Sequence, residues 1–170
     1  EVDAPAFARA TELLTTAATS APIEGRPMYA ALCALPIPED VVTRCFHAAS
    51  LLREHRGDGH IAALMVEGIG GLEAHVLYAL DLAMPAHEFG RIHHLPDAQI
   101  DALVAGLRDR GLIADDGWLS GEGRAVKQRI EAVTDDLAWA PYAGLEQEEL
   151  DELVAILEPL QAPLLAAQDW

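Results

Sequence analysis

Lysine is nearly missing from this chain. Lys127 is the only one, and the other basic residues are arginines. Eleven basic residues against 28 acidic ones leave a formal net charge of −17. Basic side chains are absent altogether from Ile130 to Trp170, a stretch that runs from Glu131 through Asp135, Asp136, Glu146, Glu148, Glu149, Asp151, Glu152 and Glu158 to Asp169. A surface of one sign repels phosphate and anionic headgroups over roughly 8 Å at physiological salt. Attraction of nucleic acid or membrane by bulk charge is therefore excluded, and DNA is a doubtful partner unless a local basic patch works against the global field.

Aromatic residues are also scarce, at 5% of a chain that is 51% hydrophobic. The apolar content is mostly Ala, Leu, Val and Ile, which suits packed helices better than a β-sandwich. Cysteine is limited to Cys33 and Cys45, each in an apolar helical context, which reads as free buried thiols rather than a disulfide scaffold. No signal peptide, transmembrane-length apolar run or lipidation motif is present, so no membrane partner and a cytoplasmic location are expected. The first residue is Glu rather than Met, which reads as a missing N-terminal segment. There is no P-loop, nucleophile elbow or kinase motif, and "GIGG" (68–71) lacks the strand that a phosphate loop follows. Nothing specifies a cofactor.

What is present is helical periodicity. Pro5 to Thr19 carries Phe7, Ala10, Leu13, Leu14 and Ala17 on one stripe. "SAPIEGRP" (20–27) is a loop by its Pro and Gly content, and Met28 to Leu35 a short helix. Val41 to His55 predicts a longer helix. Gly57 then stands as its stop, and Asp58 as the cap of another helix running from about Gly59 to Val66. Leu72 to Leu82 and Pro96 to Arg110 are further helices. Leu112 to Ala114 and Trp118 to Leu119 are strand candidates around Asp116-Gly117, a strong hairpin signal. Ser120 caps the next helix, and Leu145 opens a last segment with Leu150, Leu153, Val154, Leu157 and Leu160 at helical spacing. That apolar face and the tail "PLLAAQDW" (163–170) predict a homodimer through the terminal helices. Trp118, Trp139 and Tyr142 read as core or interface residues.

"LLREHRGDGH" (51–60) concentrates the chemistry: two His, two Arg, a Glu and an Asp flanked by glycines. Arg44, His47, Leu51 and Glu54/His55 share a helical face, since offsets of three, four, seven and eleven keep one side. The structural reading makes Gly57-Asp58-Gly59 a corner fixed by ion pairs of Arg53, Glu54 and Arg56. The functional reading gives Arg53 or Arg56 a carboxylate or phosphate to hold, and gives His55 or His60 a proton to move near neutral pH. A metal site has little support, because His55 and His60 are five apart with no CxxC or HExxH beside them.

The order "LRDRGLIADDGWLSGEGRAVKQRIEAVTDDLA" followed by "LEQEELDELVAILEPL" resembles the MarR family of winged helix-turn-helix proteins. The upstream "GRPMYAALCALPIPEDVVTRCFHAASLLREHRGDGHIAAL" is similar to an actinobacterial MarR-like family whose members carry Gly-Arg-Pro, Leu-Arg-Glu-His-Arg-Gly-Asp-Gly-His and a late Glu-x-x-Thr-Asp, here Glu131 to Asp135. "RIHHLPDAQ" departs from the Arg-Gly-Trp-Ser such proteins more often have. The resemblance implies a mostly α fold, with a helical half over 1–82 and a winged-helix half over 83–170. A small β-hairpin wing would follow a recognition helix that offers Gln99, Arg108 and Arg110 to DNA.

Three functions follow as expectations. The first is a MarR-like protein that binds a small anionic or amphipathic molecule through Arg44, His47, Arg53, Glu54, His55, Arg56, Asp58 and His60, coupling it to transcription. The second is an enzyme on a repurposed winged-helix scaffold, with His55 and His60 doing acid–base work on an anionic metabolite. The third is a structural or assembly piece of a longer protein.

Overall fold

The computed structural model describes residues 3–166. Its elements are helices α1 (Ala4–Ser20), α2 (Pro27–Cys33), α3 (Val41–Val66), α4 (Gly71–Asp81), α5 (Asp97–Asp109), α6 (Gly121–Ala138) and α7 (Gln147–Ala166), with 3-10 turns at Ala86–Glu88 and Ala140–Gly144. They form two compact units. One holds the residues up to Asp58 together with those from Asp136 onward, and the other runs from Gly59 to Asp135. No single helix among the described residues is long and apolar enough to cross a membrane. Of the tail expected to need cover, residues 167–170 lie outside the described residues.

In the first unit α1 packs against α7 and the Ala140–Gly144 turn. Ala10, Leu13, Leu14, Ala17 and Ala18 recur at helical spacing and are buried with Tyr29, Leu51, Leu145 and Leu153. Arg9 pairs with Glu149 at 3.0 Å and Glu152 at 3.2 Å on the rim, where an exposed ion pair adds little. Cys33 is exposed and Cys45 half-buried, so neither thiol is fully buried as expected.

In the second unit α4 packs on α5, and the core gathers Val76, Leu80, Ile92, Ile100, Leu107 and Ile130. Three helices here stop the same way. After α3, Ile69 N donates to Leu64 O at 2.9 Å, with Gly68 at φ +66. After α5, Leu112 N donates to Leu107 O at 2.9 Å, with Gly111 at φ +75. This is the Schellman arrangement, which puts the residue after the cap in the left-handed region. After α4 the same bond joins Met84 N to Ala79 O at 2.9 Å, but the left-handed residue is Ala83, at φ 55. A left-handed L-residue costs about 1–2 kcal/mol, and glycine gives back only part of that in unfolded-state entropy. Ala83→Gly is therefore expected to stabilise the protein by about 0.5–1 kcal/mol. A thermal melt at or below the wild-type midpoint would contradict it.

Two expectations are overturned. Helix α3 runs unbroken through Gly57, Asp58 and Gly59 to Val66, and neither glycine takes a positive φ. The true stop is Gly68. The β-hairpin wing is also absent: among the described residues there is no strand or sheet, and the fold is all-helical. Asp116-Gly117 does turn the chain, with Gly117 at φ +89, but a single antiparallel bridge joins Ile113 to Leu119. Leu112 is still closing the end of α5, and Ser120 already caps α6 by accepting from Gly123 N at 2.9 Å. No residues remain to extend a ladder.

Candidate functional site

The buried polar group of the first unit is built where α2 meets α3. Any helix start leaves amide donors without intrahelical partners. At α2 these are met by Asp58, whose Oδ2 accepts from Met28 N and Tyr29 N, each at 3.0 Å. Asp58 thus caps a helix that begins far upstream rather than the second half of its own. Arg26 precedes Pro27, the first residue of α2, and its guanidinium is buried. It donates from Nη1 to His55 O at 2.9 Å and from Nη2 to Leu137 O at 3.1 Å. The Gly-Arg-Pro segment and the Leu51–His60 stretch are therefore the two halves of one contact.

His55 is 0% exposed, and among the described residues neither ring nitrogen has a hydrogen-bond partner. The imidazole meets the Tyr29 ring edge-on, with centroids 5.1 Å apart. Tyr29 is fixed in turn by its hydroxyl, which donates to Ala18 O at 2.6 Å, and burial pushes that phenol up to about 12. Burial holds His55 below the ordinary imidazole value of 6.5; the Arg26 guanidinium adds to this and the Asp58 carboxylate opposes it. The folded value lies below the unfolded one, so the histidine costs nothing above about pH 6.5. Stability is then lost as pH falls from there through the folded value. His75, also lowered by burial and by Arg91, acts with the same sign. His55→Phe keeps a ring of similar shape and should flatten part of the acid limb in melts between about pH 7 and pH 5. An unchanged limb would show that His55 does not titrate there.

The other expected residues scatter. Arg53 is exposed and pairs with its neighbour Glu54. Arg56 is exposed and His47 half-buried. Arg44 turns back to the start of α3, donating to Pro38 O at 3.1 Å and Glu39 O at 2.5 Å. His60 belongs to the second unit, where its Nδ1 lies 3.0 Å from Thr134 Oγ1. His55 and Asp58 thus gather with Arg26 and Tyr29, in a closed contact that leaves the imidazole no solvent.

The second unit holds an open cleft of about 230 Å³. Leu80, Pro85, Ala86 and Val104 supply its apolar lining, and His87, Asp101, Asp116 and Trp118 its polar and aromatic lining. His87 Nε2 is 3.1 Å from Asp101 Oδ1, and its Nδ1 is 3.5 Å from Asp97 Oδ1. Trp118, expected in a core or interface, is 40% exposed at this cleft. None of this set was singled out from the sequence as a site. Its signal was faint: a lone His two residues after Pro85, and a Trp one residue past an Asp-Gly turn.

Of the residues expected to reach DNA, Gln99 and Arg108 are exposed on α5. Arg110 is held by Glu73 at 3.2 Å. From Gly59 to Asp135 there are 6 Lys and Arg and 12 Asp and Glu, and 6 minus 12 gives −6. Several of those bases are committed: Lys127 to Asp81 at 3.0 Å, and Arg129 to Glu67 at 3.0 Å and Glu122 at 3.2 Å.

Comparison with known families places the chain in a class. A helix-turn-helix family matches over residues 1–170, and the chain belongs to that family. No curated protein and no solved structure matches it.

Proposed function

We propose that the protein is a MarR-like regulator in which a small molecule, bound beside α5, tunes a weak contact between that helix and DNA. The observation that carries this reading is the position of Asp101. It lines the cleft and also lies on the exposed side of α5, between Gln99 and Arg108. A ligand that engages this carboxylate changes the charge of the helix surface within a Debye length of any phosphate held by Arg108. The remaining exposed positions of α5 include Ala98, Ala102 and Ala105, small residues that let a helix approach a groove closely. Its acids, Asp97, Asp101 and Asp109, keep the contact weak until they are neutralised.

The test is an electrophoretic mobility shift of the full chain on its own upstream region, over a salt series. Retardation at low salt that fades steeply as salt rises is expected. Asp101→Asn, which keeps a hydrogen-bond acceptor for His87, should tighten binding several-fold. Absence of any shift at the lowest salt, in both wild type and D101N, would remove the DNA half of the reading.

A further inference from the structure

We infer that the cleft between Pro85–His87, α5 and the Asp115–Trp118 turn is a binding site for small hydrophobic cations: amines or quaternary ammonium compounds with a compact apolar body. The inference rests on the reading of this cleft as the ligand site and adds the ligand's chemistry.

Complementarity at the cleft points one way. The floor is apolar, with Leu80 and Ala86 buried and Val104 half-buried. The charged residues of the lining are Asp101 and Asp116, which come from two different elements. An anion would meet both carboxylates with no Lys or Arg in the lining to offset them. A neutral apolar body would cover the carboxylates and strip their water without return. A cation with an apolar body fills the floor and pairs with the acids together.

The third wall supplies an independent element. Trp118 presents its indole at 40% exposure in a chain where aromatics are only 5% of residues. Its main chain is fixed although its ring is not buried. Trp118 N donates to Asp116 Oδ1 at 3.0 Å, and Trp118 O accepts from Ala114 N at 2.8 Å. A part-exposed indole lining the same cleft as two carboxylates attracts a cation through its ring quadrupole, and tryptophan is the strongest side chain for this. His87 Nε2 lies 3.1 Å from Asp101 Oδ1, and the hydrogen bond it donates there orients that carboxylate. The volume of about 230 Å³ lies below the usual range for drug-sized ligands, so the apolar body is of the order of a single ring.

The experiment is calorimetric titration of the full chain, without DNA, using benzyltrimethylammonium, phenylacetate and benzyl alcohol as probes. Saturable binding of the ammonium is expected, with no measurable heat from phenylacetate and weaker binding of the alcohol. Asp101→Asn and Asp116→Asn each keep an acceptor for His87 Nε2 and Trp118 N respectively, so the fold is retained. Each should weaken the ammonium several-fold, and the double variant should abolish it. Trp118→Leu should cost about tenfold. The inference is overturned if no probe binds, if phenylacetate binds as well as the ammonium, or if the double variant binds like wild type. Retardation of DNA without ammonium binding would remove the cation site and leave the regulator. Ammonium binding without DNA retardation would do the reverse.

Discussion

Gly123→Ala is expected to destabilise the protein by about 3 kcal/mol or more, lowering the melting midpoint by about 6–12 °C. A β-carbon at Gly123 would lie 2.1 Å from Leu112 O and 3.0 Å from Leu112 C. Both are main-chain atoms, so no side-chain rotation relieves the contact. They are also committed, because Leu112 O accepts from Ser120 N at 3.0 Å, while Leu112 N closes the end of α5. Relief therefore means pulling α6 off α5, which breaks the Ser120 cap on Gly123 N and exposes Leu112 and Val126. Gly121→Ala is the control. It is exposed, with nothing within 4 Å of the added carbon, and should melt close to wild type. Equal midpoints for the two variants would mean that α6 does not approach Leu112 this closely.

This junction also shows where sequence reasoning reached and where it stopped. Ser120 was readable as a cap, because its partner is three residues away. Asp116-Gly117 was readable as a turn, because the positive φ at Gly117 is a local demand. Whether the flanks then pair as strands was not readable. That depends on how soon α5 ends and α6 begins, and both helices claim the residues a ladder would need. Helix periodicity placed α1 and α5 to within a residue at each end for the same reason. It failed at Gly57-Asp58-Gly59, where local chemistry imitates a stop. The carboxylate there is engaged by amides 29 and 30 positions upstream, and helical φ values carry the chain on to a real stop at Gly68. The site residues divide in the same way. His55 and Asp58 stood out by composition, but Arg26 and Tyr29 are joined to them only by the packing of α2. The cleft depends on bringing Leu80 to Trp118, a proximity that no window on the sequence contains.

Replacing Asp58 should be the most costly change in the first unit. Asp58→Ala leaves the part-buried Met28 N and the buried Tyr29 N without their acceptor. Each orphaned donor costs about 1–3 kcal/mol, so a loss of about 2–4 kcal/mol is expected. The charge matters as well. Arg26 is buried and donates to the carbonyls of His55 and Leu137, and its charge and that of Asp58 act on His55 with opposite sign. Asp58→Asn keeps an acceptor for the amides but not the charge, and should fall between Ala and wild type. Hydrogen exchange gives the local signature: amides of Pro27–Cys33 should exchange faster in D58A, while those of α5 remain protected. The pH dependence gives a second. Asp58 raises His55 against burial and Arg26, so without it the folded value drops further below 6.5. The window of acid loss then extends to lower pH, and the total loss grows. An Ala variant with wild-type exchange at α2 and an unaltered acid limb would show that Asp58 neither caps α2 nor faces His55.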